Sequence, residues 1–441
     1  MNDNSKILYE CQNMTLARGT GIATYARNLA SEARAAGFQT AGLFGTRGSL
    51  MGRNSVLSEI QLFDAYDKKQ TMAEKVDHAI RWLHADPFGM RAKPVRRRGI
   101  VIDPGSPIFS DAFTESYVAP YITDRARDHF MRYGKLLPVS GIRNVDLFHT
   151  THAVPMRLSG VPTICTIHDI IPLRLPYTTL GNKRYFYNLI CKLVSKLDHI
   201  VTVSEYSRRD LIEFFDVPED RITNTYQSVA IPESFMAAAE AQVAHDLQSV
   251  FGLEYKNYYL FAGAIEPKKN ISRLIDAYAQ SGSERPLVLA GGLGWLFEGD
   301  VKRINDDRFL SYRMNGSVIK PEKSVRHLSY VRRDDLLRLM RGARALVFPS
   351  IYEGFGLPVL EAMLLGTPVI TSNTSSLPEV AGDAAVLIDP YSVDAIARAI
   401  RTIDLDDELC ADLANRGPAQ AAKFSPVTHR ARITDVYRRL I

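Results

Sequence analysis

The most informative stretch of the chain is YEGFGLPVLEAM at residues 352–363, which is separated by two residues from the apolar run 345–349 before it. Pro358 suits the first turn of a helix, and Gly354 and Gly356 allow the backbone to approach a ligand closely. Backbone amides at a helix N-terminus, together with the helix dipole, favour an anion. The stretch therefore predicts a strand, a phosphate-binding turn and a helix, with Glu353 on the turn and Glu361 on the helix.

Apolar, strand-like runs alternate with segments of helical period on both sides of this stretch. The strands expected in the first half are 6–11, 38–44, 146–150, 162–167 and 199–203, with helices at 22–35 and 207–215. Those expected in the second half are 258–263, 286–290, 325–330, 345–349, 368–371 and 385–388. Residues 45–145 have a weaker pattern, for which loops and helices are expected.

This alternation predicts two doubly wound α/β domains, each with a parallel sheet covered by helices. We expect an N-terminal domain at 1–235, a C-terminal domain at 236–424, and a final helix within 425–441 that packs back on the N-terminal domain. The carboxyl ends of both sheets would face one cleft, where the ligand is expected.

Composition and charge exclude several classes of protein. The chain has 441 residues, of which 46% are hydrophobic, enough for two or three globular cores. The net charge is only +5, which argues against a nucleic-acid partner. Four scattered cysteines indicate thiols in a reducing cytoplasm, and no apolar run is long enough to span a membrane.

The paired glutamates and their surroundings resemble the E-x7-E signature of retaining glycosyltransferases of family 4, which have the GT-B fold. The resemblance continues in GTPVI at 366–370 and SLPEVAG at 376–382. It extends more thinly to TIHD at 166–169 and TVSEYS at 202–207. The fold it implies is GT-B, with two Rossmann-like domains facing a central cleft. It also implies that the N-terminal domain, 1–235, binds the acceptor and that the C-terminal domain, 236–424, binds the nucleotide sugar.

The resemblance also implies roles for individual residues. Glu353 matches a catalytic residue that contacts donor-sugar hydroxyls, and Glu361 matches the residue that holds the nucleotide ribose. Lys269, in GAIEPKKN at 263–270, matches a catalytic lysine that neutralises the leaving diphosphate. Many family members have an arginine where this chain has Ala264, so Lys268 is the candidate for the second cation.

His168 is the third catalytic candidate, because family members place a histidine here beside the donor sugar. His149 and His152 are weaker candidates. The other expected donor-binding residues lie in two glycine-containing turns: Gly19, Gly21, Gly354, Phe355, Gly356 and Leu357. No His, Cys and carboxylate spacing resembles a metal site. Neither a metal nor a cofactor beyond the nucleotide-sugar substrate is expected.

Taken singly, these features also have structural explanations. A Gly-x-Gly turn can satisfy backbone geometry alone, the two lysines can belong to a solvated face, and His168 can be a satisfied histidine at a sheet edge. The acidic residues can favour a helix dipole. The combination of features, rather than any one of them, favours the enzymatic interpretation.

Two basic segments suggest partners. RAKPVRRR at 91–98 has five basic residues, and the stretch 181–196 has four basic residues with apolar residues at helical spacing. The second segment is interpreted as a helix with a core-facing stripe and a basic outer face. The alternative is docking to an anionic membrane or a lipid diphosphate acceptor, which implies peripheral association with the cytoplasmic face of the inner membrane.

The expected activity is transfer of a hexose from a nucleotide diphosphate sugar to a saccharide or lipid-linked saccharide, with retention of configuration. Resemblance to bacterial polysaccharide-assembly members, including those of lipopolysaccharide O-antigen, makes GDP-mannose the first choice of donor. A UDP-hexose or a dTDP- or GDP-deoxyhexose is next. Same-face and double-displacement mechanisms both stay open. The alternatives are a nucleotide-sugar epimerase or hydrolase, and a non-catalytic glycan-binding scaffold.

Overall fold

The computed structural model describes residues 5–15, 21–46, 87–95, 112–315 and 318–441. Within these ranges the chain forms an eight-stranded sheet and a six-stranded sheet, accompanied by smaller sheets of three and two strands. The strands of both large sheets are parallel, apart from one edge strand. The predicted pair of doubly wound α/β domains is therefore confirmed.

The first domain contains strands β1 to β11. Their bounds are Lys6–Glu10, Gln39–Thr46, Met90–Arg91, Lys93–Val95, Glu115–Pro120, Leu137–Ser140, Leu147–Thr150, Met156–Leu158, Thr163–Ile167, His199–Thr202 and Ile222–Asn224. The eight-stranded sheet runs β11-β10-β9-β7-β1-β2-β5-β4. Strand order therefore reverses at β1, and the sheet has a switch point between β1 and β7.

The first-domain helices are α1 to α5, namely Gly21–Ala35, Ile122–Tyr133, Ile171–Arg174, Lys183–Lys196 and Glu205–Phe215. The expectation of loops and helices alone for 45–145 is wrong, because four strands, β3 to β6, lie there among the described residues. One of these strands, β4, contains a proline, which argues against a strand when only the sequence is considered. Pro94 lies in β4, which is the antiparallel edge strand of the sheet, where the missing amide proton is tolerated.

The second domain follows a connection that contains two helices, α6 (Glu233–Met236) and α7 (Glu240–Phe251), and no strand. Its strands β12 to β19 are Tyr259–Ala262, Leu287–Ala290, Leu310–Asn315, Val318–Lys323, Val325–Leu328, Ala345–Phe348, Val369–Ser372 and Val386–Ile388. Its helices α8 to α14 are Ile271–Ser281, Glu298–Ile304, Arg333–Gly342, Leu357–Leu364, Leu377–Ala381, Val393–Leu405 and Asp407–Ala421. The hairpin β14-β15 was not expected from the sequence.

The six-stranded sheet runs β16-β13-β12-β17-β18-β19, with its switch point between β12 and β17. All four residues of β12, β13 and β17 are buried, because helices cover both faces of the sheet. Phe261 and Phe348 stack across neighbouring strands with ring centroids 5.8 Å apart. The two central strands are thus held firmly where their carboxyl ends carry the candidate site.

The final helix, α15 (Pro426–Leu440), packs on α1 of the first domain. The hydroxyl of Tyr437 is buried between two groups of the first sheet, 2.8 Å from Nδ1 of His149 and 3.0 Å from the hydroxyl of Tyr9. Arg430 pairs with Glu32 of α1 at 2.8 Å. The chain therefore returns to the first domain after it has completed the second.

Glu379 of the second domain links the two domains at the cleft. Its carboxylate accepts hydrogen bonds from the backbone amides of Glu205 at 2.8 Å and Tyr206 at 3.3 Å, at the start of α5. Ser204 caps the same helix by accepting a bond from the amide of Ser207 at 3.0 Å. These acceptors explain why α5 begins two residues before the predicted start.

All four cysteines carry free thiols, and three of them are buried. This agrees with the predicted lack of disulfides. Within the described ranges, no helix combines the length and the apolar character needed to cross a bilayer.

Candidate functional site

A cluster of charged side chains lies at the switch point of the second sheet. The segment after β12 forms a short turn of 3-10 helix, Pro267–Lys269, and the segment after β17 carries Glu353. Because β12 and β17 are paired neighbours, their carboxyl ends bring these two segments together. Lys268, Lys269 and Glu353, which are far apart in sequence, thereby become one site.

Glu353 is buried between the two lysines. Nζ of Lys269 donates to Oε1 of Glu353 at 2.6 Å, and Nζ of Lys268 lies 3.6 Å from Oε2. Lys268 also lies 3.5 Å from Oε1 of Glu266. The ammonium group of Lys269 rests over the ring of Phe348, 4.8 Å from its centroid. Each charge is thus paired, although little of these side chains reaches solvent.

Burial and charge act in opposite directions on these groups. Burial favours the neutral form of Glu353, but the positive charges of Lys268 and Lys269 outweigh it and lower the pKa of the Glu353 carboxyl. Burial likewise opposes the charge on Lys268, and the carboxylates of Glu353 and Asp169 overcome it to raise the pKa of that lysine. Lys269 differs, because burial lowers its pKa although Glu353 accepts its hydrogen bond. Glu353 and Lys268 are therefore the oppositely charged pair of the site at neutral pH.

Glu361 lies on α11 and contributes a second buried carboxyl group. Its carboxylate is paired with Nη1 of Arg333 at 2.7 Å, while nearly half of the Arg333 side chain is exposed. Burial raises the pKa of Glu361, and the arginine only partly offsets that effect. Further hydrogen-bond donors, such as a pair of vicinal hydroxyls, would stabilise this carboxylate.

The turn 353–356 fits closely against the first domain. A Cβ on Gly354 would lie 2.6 Å from the carbonyl oxygen of His168, so glycine is needed there for close approach of the two domains. Gly356 has a φ of 113° and caps α11. The hydroxyl of Ser376 holds the turn by donating to the carbonyls of Glu353 at 2.9 Å and Phe355 at 2.8 Å.

The side chain of Phe355, one of the predicted donor-binding residues, packs in the protein interior. The ring is buried in an aromatic cluster with Tyr226 and Phe424, at centroid distances of 6.5 Å and 5.5 Å. The cluster joins the end of the first domain to the crossover before α15. Leu357, the next residue but one, is half-buried and faces Gly21, where a Cβ would lie 3.4 Å from Cδ1 of Leu357.

His168 lies opposite this turn on the first domain. Its Nε2 is 2.9 Å from the carbonyl of Thr151, which leaves Nδ1 as the acceptor of the neutral ring, and Tyr25 packs edge-on at 4.9 Å. Burial lowers the pKa of His168 to about 4. The ring is therefore neutral at physiological pH and can accept a hydrogen bond from a hydroxyl. Its carbonyl accepts a hydrogen bond from the hydroxyl of Ser207 at 2.8 Å.

Two predicted features fall partly outside the described residues. Of the first glycine turn, Gly21 opens α1 beside Leu357, whereas Gly19 lies outside the described residues. Residues 96–98 of the basic segment 91–98 also lie outside them. At the position of the missing family arginine the chain has Ala264, and the structure brings Lys268 into the same charged cluster.

Sequence reasoning missed several members of the site. Arg333 belongs to the charged run RRDD at 332–335, which resembles any solvated helix start. Asp169 lies in the stretch TIHD at 166–169, and its charge contributes to the raised pKa of Lys268. Only the paired strands bring such residues together, so no local pattern marks them. Among the described residues, no group of three His, Cys, Asp or Glu side chains is arranged to hold a metal ion.

Comparison with known families agrees with this geometry. Residues 19–229 match the model described as Glycosyltransferase Family 4, and residues 247–420 match that of Glycosyl transferases group 1. The O-antigen chain mannosyltransferase B of Escherichia coli is 37% identical over 277 residues, which cover 62% of this chain and 68% of that protein. The chain belongs to glycosyltransferase family 4.

Other family members are similar over different lengths. The serotype-specific mannosyltransferase WbdA of Escherichia coli is 32% identical over 284 residues, which cover 62% of this chain but only 33% of WbdA. A solved structure of Anabaena HepE in complex with UDP and glucose matches with a TM-score of 0.64 and 16% identity, over 99% of this chain and 100% of HepE. The predicted GT-B fold and the predicted family are both confirmed.

The members of the charged cluster should contribute unequally to the stability of the protein. Glu353→Gln leaves two buried ammonium groups without their shared carboxylate and should lower the free energy of unfolding by about 3 kcal/mol. Lys269→Met should cost less, because Lys268 still compensates Glu353. Urea unfolding of both variants and of the double variant measures these costs and their coupling.

Arg332→Met is the matched control, since this arginine pairs with Asp335 while 74% of its side chain is exposed. Its loss should cost less than about 1 kcal/mol. Equal stability of Glu353→Gln and the native protein would show that the cluster does not carry buried charge.

Proposed function

We propose that this glycosyltransferase transfers mannose from GDP-mannose to a hydroxyl of a saccharide or lipid-linked saccharide in O-antigen assembly. We further propose that the configuration at the anomeric carbon is retained and that no protein-bound metal takes part. The observation that carries the proposal is the buried cluster of Lys268, Lys269 and Glu353, which faces His168 across the cleft.

The cluster combines the charges that a nucleotide diphosphate sugar requires. Two buried ammonium groups match a diphosphate, and a carboxylate between them matches the hydroxyls of the adjoining sugar. When the donor binds, its phosphate oxygens compete with Glu353 for the lysines. The lysines then neutralise the charge that grows on the leaving diphosphate, which favours the transition state over the ground state.

In the proposed function, the two lysines neutralise the diphosphate charge, as a divalent metal does in other phosphate sites. Glu361 supports the assignment of the nucleotide end, because a buried carboxylate next to Arg333 suits the two hydroxyls of a ribose. The proposed donor therefore extends from Glu361, past the two lysines, to Glu353 and His168.

The proposed reaction occurs on one face of the sugar. A bond forms between the acceptor oxygen and the anomeric carbon, the bond from that carbon to the diphosphate oxygen breaks, and the acceptor proton passes to the leaving diphosphate. Nδ1 of His168 would accept a hydrogen bond from a hydroxyl of the donor sugar near the anomeric carbon. Close contact between the two domains at Gly354 would exclude water, which limits hydrolysis of the donor.

The choice of mannose and of O-antigen rests on similarity. The names of the E. coli relatives, O-antigen chain mannosyltransferase B and WbdA, support this choice. HepE was solved with UDP and glucose, but its 16% identity supports the fold rather than the donor. A direct comparison of donors is therefore the first functional experiment.

GDP-mannose, without added metal and with a chelator present, should stabilise the protein selectively over UDP-glucose. At 100 times its dissociation constant it should add about 2.7 kcal/mol to the free energy of unfolding. Glu361→Ala should weaken donor binding by roughly 10- to 100-fold, because a buried hydrogen-bond acceptor for the ribose is lost. Thermal shift and calorimetry measure both effects.

Glu408→Ala, which removes an exposed carboxylate from α14, should bind the donor normally. Stabilisation by UDP-glucose instead of GDP-mannose would contradict the choice of donor. Normal affinity in Glu361→Ala would contradict the placement of the ribose.

We also propose that the enzyme lies on the cytoplasmic face of the inner membrane through helix α4. The buried face of α4 contains Leu189, Ile190, Leu193 and Val194, so its basic residues point outward, as the core-facing interpretation predicted. A groove of about 670 Å³ separates α4 from α2, and Arg184 and Lys192 line it. The apolar side chains of Met131 on α2 and Tyr187 on α4 are exposed on the two helices that border this groove. Cations next to apolar tips complement an anionic bilayer surface.

Replacement of Arg184, Lys192 and Lys196 by Gln should reduce binding to vesicles that contain 30% phosphatidylglycerol. Each basic residue near such a surface contributes about 1 kcal/mol, so binding should fall roughly 100-fold at low salt. Co-sedimentation measures the loss. Gln substitutions at Lys302, Arg398 and Arg401 remove three charges from the second domain as a control. Equal binding by both triple variants, or no binding by the native protein, would contradict a membrane role for α4.

A further inference from the structure

A second cluster of polar side chains lies at the switch point of the first sheet. Glu10 ends β1, and Thr151 and His152 follow β7, the paired neighbour of β1. The position corresponds to that of the charged cluster in the second sheet, where segments after β12 and β17 meet. In open α/β sheets, ligands bind at such points. The first domain therefore has its own candidate site, on its own side of the cleft.

Glu10 is completely buried and fully engaged. Its Oε1 accepts a hydrogen bond from the backbone amide of Gln12 at 2.8 Å, and its Oε2 lies 3.0 Å from Nδ1 of His152. The hydroxyl of Thr151 donates to the Glu10 carbonyl at 3.0 Å and lies 3.4 Å from Oε2. These hydrogen bonds fix the orientation of the Glu10 carboxylate toward the imidazole of His152.

The carboxylate determines which nitrogen of His152 carries the proton. With Nδ1 donating to Glu10, the neutral ring has its lone pair on Nε2. Nδ2 of Asn13 lies 3.0 Å from the same Nδ1. Because an Nδ1 that donates to Glu10 cannot also accept from that nitrogen, the Asn13 amide must be turned so that its oxygen faces the ring as a second acceptor. A fifth of the His152 side chain is exposed, and no described residue is hydrogen-bonded to Nε2.

The pair lies close to the proposed reaction centre. The carbonyl of Thr151, one residue before His152, accepts the hydrogen bond from Nε2 of His168 at 2.9 Å. His168 in turn meets the turn at Gly354. Among the described residues, and unlike the second-domain cluster, this one has no lysine or arginine hydrogen-bonded to it, and it presents Nε2 of His152 as an acceptor. Its chemistry suits a hydroxyl rather than a phosphate.

We propose that His152, oriented by Glu10, binds a hydroxyl of the acceptor saccharide through Nε2. The acceptor-binding role expected of the N-terminal domain is thereby assigned to a specific pair of residues at the switch point of its sheet. His152 touches the substrate, whereas Glu10 is a positioning residue that fixes the tautomer. The inference rests on the proposed glycosyl transfer and adds the acceptor site to it.

Two variants test the pair. His152→Ala removes the acceptor nitrogen, and Glu10→Gln reverses the hydrogen bond, because an amide that donates to Nδ1 leaves the ring proton on Nε2. With saturating GDP-mannose and octyl α-mannoside as acceptor, both variants should raise the KM for the acceptor at least tenfold. The dissociation constant for GDP-mannose and the slow hydrolysis of the donor should stay within twofold of the native values.

A spectroscopic measurement separates orientation from structural damage. In protein labelled with nitrogen-15 at histidine, His152 should carry its proton on Nδ1, and Glu10→Gln should move it to Nε2. Octyl α-mannoside added to the GDP-saturated native enzyme should shift the His152 Nε2 resonance. His245→Ala, at an exposed position on α7, is the control for loss of a histidine.

The outcomes distinguish this inference from the proposed function. An unchanged acceptor KM in both variants, or a proton on Nε2 of the native His152, would overturn the acceptor site while donor binding stands. Failure of the native protein to bind GDP-mannose would instead count against the proposed function.

Discussion

The candidate site of the second domain depends on the pairing of one buried carboxylate with two buried lysine side chains. Glu353 is tolerable in the interior only because Lys268 and Lys269 compensate it, and the lysines are tolerable only because of Glu353. Under the proposed function, the donor diphosphate would supply the negative charge that the lysines lose when they release the carboxylate. The fold contributes by placing β12 beside β17, so that segments far apart in sequence meet at one sheet edge.

The first domain meets the second through contacts in which its backbone groups take part. The carbonyl of His168 approaches Gly354 so closely that no side chain fits between them, and Ser207 donates to that same carbonyl. Glu379 reaches across to the amides at the start of α5. Each contact joins an element of one domain to a turn of the other. Domain closure and site geometry are therefore coupled.

Much of this arrangement could be predicted from the sequence, because local patterns carry it. The strands β12, β13 and β17 are short apolar runs between helical segments, and the turn with Glu353 is continuous in sequence with the helix of Glu361. The two lysines follow a strand directly. Where the pattern is local, its bounds agree with the structure to within one or two residues.

What could not be predicted depends on tertiary contacts. Arg333 pairs with Glu361 only because α10 and α11 start at the same sheet edge, and nothing in the run RRDD at 332–335 distinguishes it. Glu10 is an acidic residue at the end of an apolar strand, and its partner His152 is more than a hundred residues away. Strand β4 was hidden by Pro94, which only an edge strand accepts.

The central claim is that the paired lysines form the diphosphate site, and calorimetry of GDP against GMP tests it most directly. In the native protein the second phosphate should raise affinity at least tenfold, because it adds charge beside two desolvated ammonium groups. In the variant with Lys268→Met and Lys269→Met, that difference should shrink to less than about threefold. An equal preference for GDP in both proteins would contradict the claim.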